Sequence, residues 1–255
     1  MTTYSVLLEK YRPIPYTEWG TEIASFMGEH FLDVTTKLRR QQGIVWEGLD
    51  DRRAELLGSY LINKGFPAGL VEDDEVAKFG TVRLVRNADP VARGIELQDA
   101  WENKTLIESA NIILAQVGWV EEEIEIGSKP KRVGGGSLDP SGQIPDFVDF
   151  SRESIKAPLG WLLHIYHGQE PIGVVRIFGE HFNYDYQSFP DAARNQRFVI
   201  LLNDLAKVFR YDSLDEGFKL SMGSFTKSPE ASYKSLDDMM DRARWAVTLK
   251  LVKGM

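Results

Sequence analysis

Gly48-Leu49-Asp50-Asp51-Arg52-Arg53-Ala54-Glu55 is the stretch on which the reading of the fold turns. A glycine and an apolar residue close a strand. An acidic pair then offers a side-chain acceptor to the free amides of a first helical turn. Asp50 or Asp51 is therefore expected to cap a helix whose inner stripe is Ala54, Leu57 and Leu61. Gly65 stands where a left-handed helix end is wanted, and Phe66 to Val71 returns as a strand. In the other direction, Ile44-Val45-Trp46 reads as a short strand. Gly43 ends a helix that starts at Asp33 and carries Val34 and Leu38. Thr17 is expected to cap an earlier helix with Trp19, Ile23, Phe26 and Met27 on one face. Arg12-Pro13-Ile14-Pro15 separates it from an opening strand, Tyr4-Ser5-Val6-Leu7-Leu8, because proline removes a backbone donor and fixes the chain. Strand, two helices, strand, helix, strand is the order of helices layered on a small sheet.

Residues 4–73 thereby resemble the ClpS-like fold, shared by the ClpS adaptor and the C-terminal domain of the ribosomal stalk protein. The likeness rests on Tyr4 to Leu8, the paired helices, the Gly48 to Glu55 entry, Leu61 to Gly65 and the closing strand. It implies an N-terminal α/β sandwich. The stalk domain's Gly-Leu-Gly-Leu-type turn is replaced here by Glu29-His30-Phe31-Leu32. Its basic factor-binding helix is reduced to Lys37, Arg39 and Arg40. No functional residue is carried over.

Glu72-Asp73-Asp74-Glu75 reads as an acidic, solvated hinge, dividing a module over residues 1–76 from a second domain over 77–255. Val82 to Val85 and Gly94 to Gln98 are expected strands joined through Asn87-Ala88-Asp89-Pro90. Leu106 to Val120 is apolar without a clear period. Residues 127–145, with Gly134-Gly135-Gly136, form a long loop of the mobile or functional kind. Gly160 to Tyr166 and Gly173 to Phe178 read as a hairpin turning at Gly168 to Pro171. Two helices follow. One runs from Ala192 to Phe209. The other is capped by Ser235 and carries a stripe of Leu236, Met240, Ala243, Val247 and Leu251. The whole is expected to be α+β, and strands first with a helix last is similar to a pleckstrin-homology-like barrel. Residues 160–250 also resemble a group of bacterial proteins of unknown function. Trp161 to Ile165, Val175-Arg176-Ile177 through Tyr186, Phe198 to Leu205, and Tyr233 to Leu236 with Arg244-Trp245 carry that likeness, which implies boundaries and no mechanism.

Composition narrows the function classes. The chain has 255 residues, long enough for one large or two small domains at roughly 150 residues each. With 43% hydrophobic and 27% charged residues, disorder, collagen and coiled coil are excluded. The net charge is −8, so the average field repels duplex DNA; Lys129, Lys131 and Arg132 follow closely on Glu121, Glu122, Glu123 and Glu125. Cysteine is absent, which removes disulfides, thiolate nucleophiles and cysteine metal sites. A cytoplasmic location is expected, since Met1 to Ser5 lacks signal-peptide features. No membrane span is expected either: Ile112 to Val120 falls far short of the ~20 apolar residues a span needs.

Among residues that could carry chemistry, His164, His167 and His181 cluster in sequence, and across the hairpin His164 and His181 could approach with Asp185 completing a site. Their spacing fits no metalloprotease or zinc motif, so surface and packing histidines are the alternative. Asp146 and Asp149 could act as paired carboxylates, and Phe147 and Phe150, interleaved with them, suit an amphipathic docking segment. Gly134 to Ser137 is no phosphate loop, because Lys131 precedes the glycines and no Gly-Lys-Ser or Gly-Lys-Thr follows. Ser221-Met222-Gly223-Ser224 is no nucleophile elbow and reads as a helix connection. No cofactor or metal motif stands out. The expectation is a non-enzymatic module that binds a protein or peptide partner or forms a homo-oligomer. The alternatives are a hydrolase or metal-dependent enzyme using His164, His181 and Asp185, and a small-ligand cleft between the domains.

Overall fold

The computed structural model describes residues 2–98, 104–126, 155–184, 187, 192–223, 228 and 231–254. The expected loop over 127–145, together with Asp146, Phe147, Asp149, Phe150 and Asp185, lies outside them. The chain is α+β.

Its N-terminal part runs β1 (Tyr4–Leu8), α1 (Tyr16–Met27), α2 (Phe31–Arg40), β2 (Ile44–Leu49), α3 (Asp51–Asn63) and β3 (Ala68–Glu72). The strands form an antiparallel sheet in the order β2-β1-β3, registered from Tyr4 opposite Glu72 to Leu8 opposite Ala68. One face packs Val6 and Leu8 against Trp19, Ile23, Leu38, Leu57 and Leu61 of the helices. Asp50 caps α3, its Oδ1 accepting the Arg53 amide at 3.0 Å. Two expected caps shift. α1 begins at Tyr16, one residue before Thr17, and the Pro15 carbonyl accepts the Glu18 and Trp19 amides. α2 begins two residues before Asp33, because the His30 ring nitrogen accepts the Leu32 amide. Gly43 lies beyond the end of α2 and serves a packing role described below.

The rest of the chain builds two sheets. β8 (Ile112–Ile126), β9 (Ile155–His167) and β10 (Ile172–Phe178) are antiparallel neighbours in a five-stranded sheet ordered β11-β8-β9-β10-β4. Its edges, β4 (Phe79–Leu84) and β11 (Ser232–Tyr233), pair in parallel with β10 and β8. The expected hairpin is β9–β10, and Gly168 makes its turn with φ +81°. A second, antiparallel sheet is β5 (Asn87–Val91), β6 (Gly94–Gln98) and β7 (Lys104–Glu108). Residues 87–90 are thus a strand and not a connecting turn; Pro90 is tolerated because β5 is an edge. The ambiguous apolar stretch resolves into β7, a single turn at Ser109–Asn111, and β8. Three helices follow where two are expected: α4 (Arg194–Ala206), α5 (Glu216–Gly223) and α6 (Leu236–Lys253). Eight residues give α5 too little length for a legible apolar period.

α6 lies between the two main sheets. Met239, Ala243 and Val247 pack towards the five-stranded sheet, on Leu114, Leu162, Tyr166 and Val174. Trp245 and Leu249 pack on the N-terminal sheet with Leu7, Val71 and Val76. The expected stripe is therefore corrected: Met239 is fully buried, whereas Leu251 is 45% exposed. Ser235 does cap the helix, accepting the Asp238 amide at 3.1 Å. Trp245 donates its indole N–H to the Leu8 carbonyl at 2.6 Å, and the Arg244 guanidinium holds both oxygens of Glu47 at 2.7 and 3.0 Å. Gly43 makes room for Trp245, because a Cβ there would stand 2.3 Å from the indole. The segment read as a solvated hinge is anchored at both ends: Asp73 accepts the Ser5 hydroxyl at 2.6 Å and the Gly48 amide at 3.2 Å, while Val76 is 1% exposed.

Candidate functional site

Side chains alternate along β8, β9 and β10, and both faces of these strands are covered. Ala115, Val117, Trp161, Leu163, Ile165, Val175 and Ile177 point into the core beneath α4 and α5. The opposite set faces α6, and there the register aligns three polar residues in one row: Gln116 opposite His164, and His164 opposite Arg176. Gln116 and His164 are 1% and 0% exposed.

The row is hydrogen-bonded in a single direction. Arg176 has only donors, and its Nε–H meets His164 Nε2 at 2.7 Å, so that nitrogen is the acceptor. His164 Nδ1 then carries the proton and donates to the Tyr166 hydroxyl at 3.0 Å. Tyr166 donates to Gln116 Oε1 at 3.3 Å, and the Gln116 amide donates to the Tyr233 hydroxyl and the Met239 carbonyl, each at 3.1 Å. Burial, reinforced by the Arg176 charge, pushes the His164 pKa down to about 3. The ring is neutral, with both nitrogens occupied, and has no lone pair for a metal ion or a substrate proton. The row ends at Tyr233, whose phenol burial drives well above its ordinary range. Its ring lies over Gly118, where a Cβ would approach to 2.3 Å.

Tyr233 leads out of the core into an open cleft of about 1060 Å³ between the N-terminal sheet layer and α6. One wall is the segment Lys10 to Tyr16 with the end of α2, including Tyr11, Arg39, Arg40 and Gln42. The other is Ser232 to Ser235 and the first turns of α6, including Asp237, Asp238, Asp241 and Arg242. β11 is the edge of its sheet, so its outer side has no strand partner among the described residues. Gln41 fixes the α2–β2 turn: its amide donates to the Arg12 carbonyl and its oxygen accepts the Gly43 amide. That holds Gln42 in place, and Gln42 Oε1 accepts from Arg242 Nη2 at 2.9 Å and Nε at 3.2 Å. The same guanidinium lies over the Tyr11 ring, its carbon 2.9 Å from the ring centroid, and bonds to the Tyr11 phenol. Desolvation lowers the Arg242 pKa, opposed by the Tyr233 and Tyr11 phenols.

The histidines expected to converge do not share an environment. His164 is in the core, while His181 is exposed beyond the end of β10, edge-on to Phe178. His167 is partly buried and covers Gly173. Asp185 and the docking candidates Phe147 and Phe150 lie outside the described residues. Among the described residues no His, Asp or Glu triplet could hold a metal ion, and no helix is long and apolar enough to cross a membrane. Comparison with protein families, with curated proteins and with solved structures finds no match.

The residues that line the cleft were not singled out by sequence as a site. Tyr11, Gln42, Tyr233 and Arg242 come from four separated segments and meet only through the docking of α6. The available signals were the basic end of α2 and the run of charge from Asp237 to Arg244.

Proposed function

We propose that this is a non-enzymatic recognition module that takes an extended peptide in the cleft between the N-terminal layer and α6. The reading rests on one observation: the two-residue edge strand β11, whose outer side has no strand partner among the described residues, lines a cleft of about 1060 Å³. Strand addition supplies affinity through backbone hydrogen bonds, and pockets beside the edge supply specificity. Tyr11 and Tyr16 offer amphipathic rings for that purpose. The volume lies at the upper limit of small-molecule pockets, about 300–1,000 Å³, and suits a short chain segment. The ClpS-like and pleckstrin-homology-like resemblances belong to the same proposal, since both architectures commonly serve recognition; fold alone does not assign function.

The absence of cysteine makes the test clean. Pro13→Cys places a unique thiol on the cleft wall and Asp89→Cys places one on β5. Each is labelled with a benzophenone maleimide and irradiated with a random octapeptide pool. Cross-linking is expected from position 13 and not from position 89. Equal or absent cross-linking at position 13 contradicts the proposal.

A further inference from the structure

We infer that Arg242 forms an anion subsite in the wall of this cleft and takes a carboxylate of the bound chain. The inference rests on the peptide reading above and adds the chemistry of its ligand. Arg242 is a partly buried guanidinium whose acceptor is a neutral amide oxygen, Gln42 Oε1, shared by Nε and Nη2. The other group that bonds to the guanidinium is the Tyr11 phenol, which is neutral as well. Asp238 stands one helical turn earlier, at the spacing that pairs charges along a helix. Yet neither Asp238 nor any other described carboxylate comes within 4 Å of Arg242. A buried charge is ordinarily paired, because leaving it unpaired is costly. Here the guanidinium lines the cleft instead, with its carbon over the Tyr11 ring and 6.0 Å from the centroid of the Tyr233 ring. Lys10, Arg39, Arg40 and Lys234 line the same cleft and with Arg242 outnumber its carboxylates, Asp237, Asp238 and Asp241; none of these cations pairs with a described carboxylate within 4 Å. A planar carboxylate matches the fork of N–H groups that Arg242 retains.

The carboxylate could be the chain terminus of the peptide or an Asp or Glu side chain, and the experiment separates the two. Three random octapeptide pools are affinity-selected on the full-length protein. The first lacks Asp and Glu and is amidated at the C-terminus. The second lacks Asp and Glu but keeps a free C-terminus. The third contains Asp and Glu and is amidated. Recovery of the second or the third is expected to exceed that of the first by about tenfold or more, the worth of a charge-assisted hydrogen bond. Whichever is enriched names the source. Arg242→Gln is expected to abolish the preference and Arg242→Lys to keep part of it. Gln42→Glu supplies the carboxylate from within, and is expected to remove the preference while raising the thermal midpoint. That variant keeps the test decisive if Arg242→Gln fails to fold. Equal recovery of all three pools by the wild type overturns the subsite and leaves the peptide cleft standing. A preference that survives in Arg242→Gln or Gln42→Glu overturns it as well. No recovery of any pool removes the peptide reading and the subsite together.

Discussion

His164 and Asp215 are two titrating residues with opposite effects on stability. His164 is buried neutral, its pKa lowered to about 3, so the unfolded chain binds the extra proton between about pH 3 and its ordinary value of 6.5. Stability from this residue is therefore present at neutral pH and lost on acidification through that window. Asp215 caps α5, its Oδ1 accepting the Phe218 amide at 2.6 Å and the Val117 amide at 3.2 Å. Desolvation, opposed by those amides, raises its pKa to about 7 from 3.8. The native state holds that proton longer than the unfolded one, so its contribution falls as pH rises from about 4 to about 7. The two slopes oppose each other. Urea midpoints measured from pH 4 to pH 7 should rise more steeply with pH in Asp215→Asn than in the wild type, and less steeply in His164→Asn. Parallel profiles for all three proteins would contradict the assignment. Glycine is equally specific at this scale. Gly43 has φ +113° and the Trp245 ring 2.3 Å from any added Cβ, whereas Gly28 has φ +68° and open space. Gly43→Ala is expected to cost about 1–3 kcal/mol more than Gly28→Ala in urea denaturation, the usual size of an overpacking penalty. The sequence showed Gly43 only as a helix stop, since its second role needs a tryptophan that arrives about 200 residues later.

At the scale of elements, local signals carried far. The Asp50 and Ser235 caps, the β1 strand, the β9–β10 hairpin and α4 are legible because each is dictated by residues a few positions apart. What failed needed partners distant in sequence. His164 was read as a candidate catalytic residue against a surface or packing histidine, and the sequence showed no partner to choose between them. The register that sets it between Gln116 and Arg176 is a property of three strands. α6 shows the same limit. Its period defined one stripe, yet the helix serves two sheets, so Trp245 and Leu249 carry a second face that a single-stripe reading misses. Trp245→Ala is expected to destabilise the protein by about 2–4 kcal/mol, combining lost burial with the lost bond to the Leu8 carbonyl. Arg244→Ala, whose Glu47 pair is exposed, should cost about 1 kcal/mol or less. Similar losses for the two variants in urea denaturation would show that α6 is not held through its tryptophan.

At the scale of the molecule, α6 ties the N-terminal layer to the five-stranded sheet. Ala77 bonds to Thr248, Arg242 to Gln42 and Trp245 to Leu8, all across more than 160 positions of sequence. Native-state hydrogen exchange should then give the slowest amides of β1 and β9 one common opening free energy. An opening of β1 at much lower free energy would show two independent units. The cleft itself exists only at this scale, which is why the sequence suggested an interdomain cleft without naming its residues: its walls are loop, helix end, edge strand and helix start, none distinctive alone. The central claim is that β11 and the Lys10 to Tyr16 segment grip an extended chain. Hydrogen–deuterium exchange of the full-length protein with a peptide recovered from the random pools tests it directly. Slowed exchange is expected at residues 10–16 and 231–235, together with unchanged exchange in β5, β6 and α4. Protection confined to other elements, or none at saturating peptide, would contradict it.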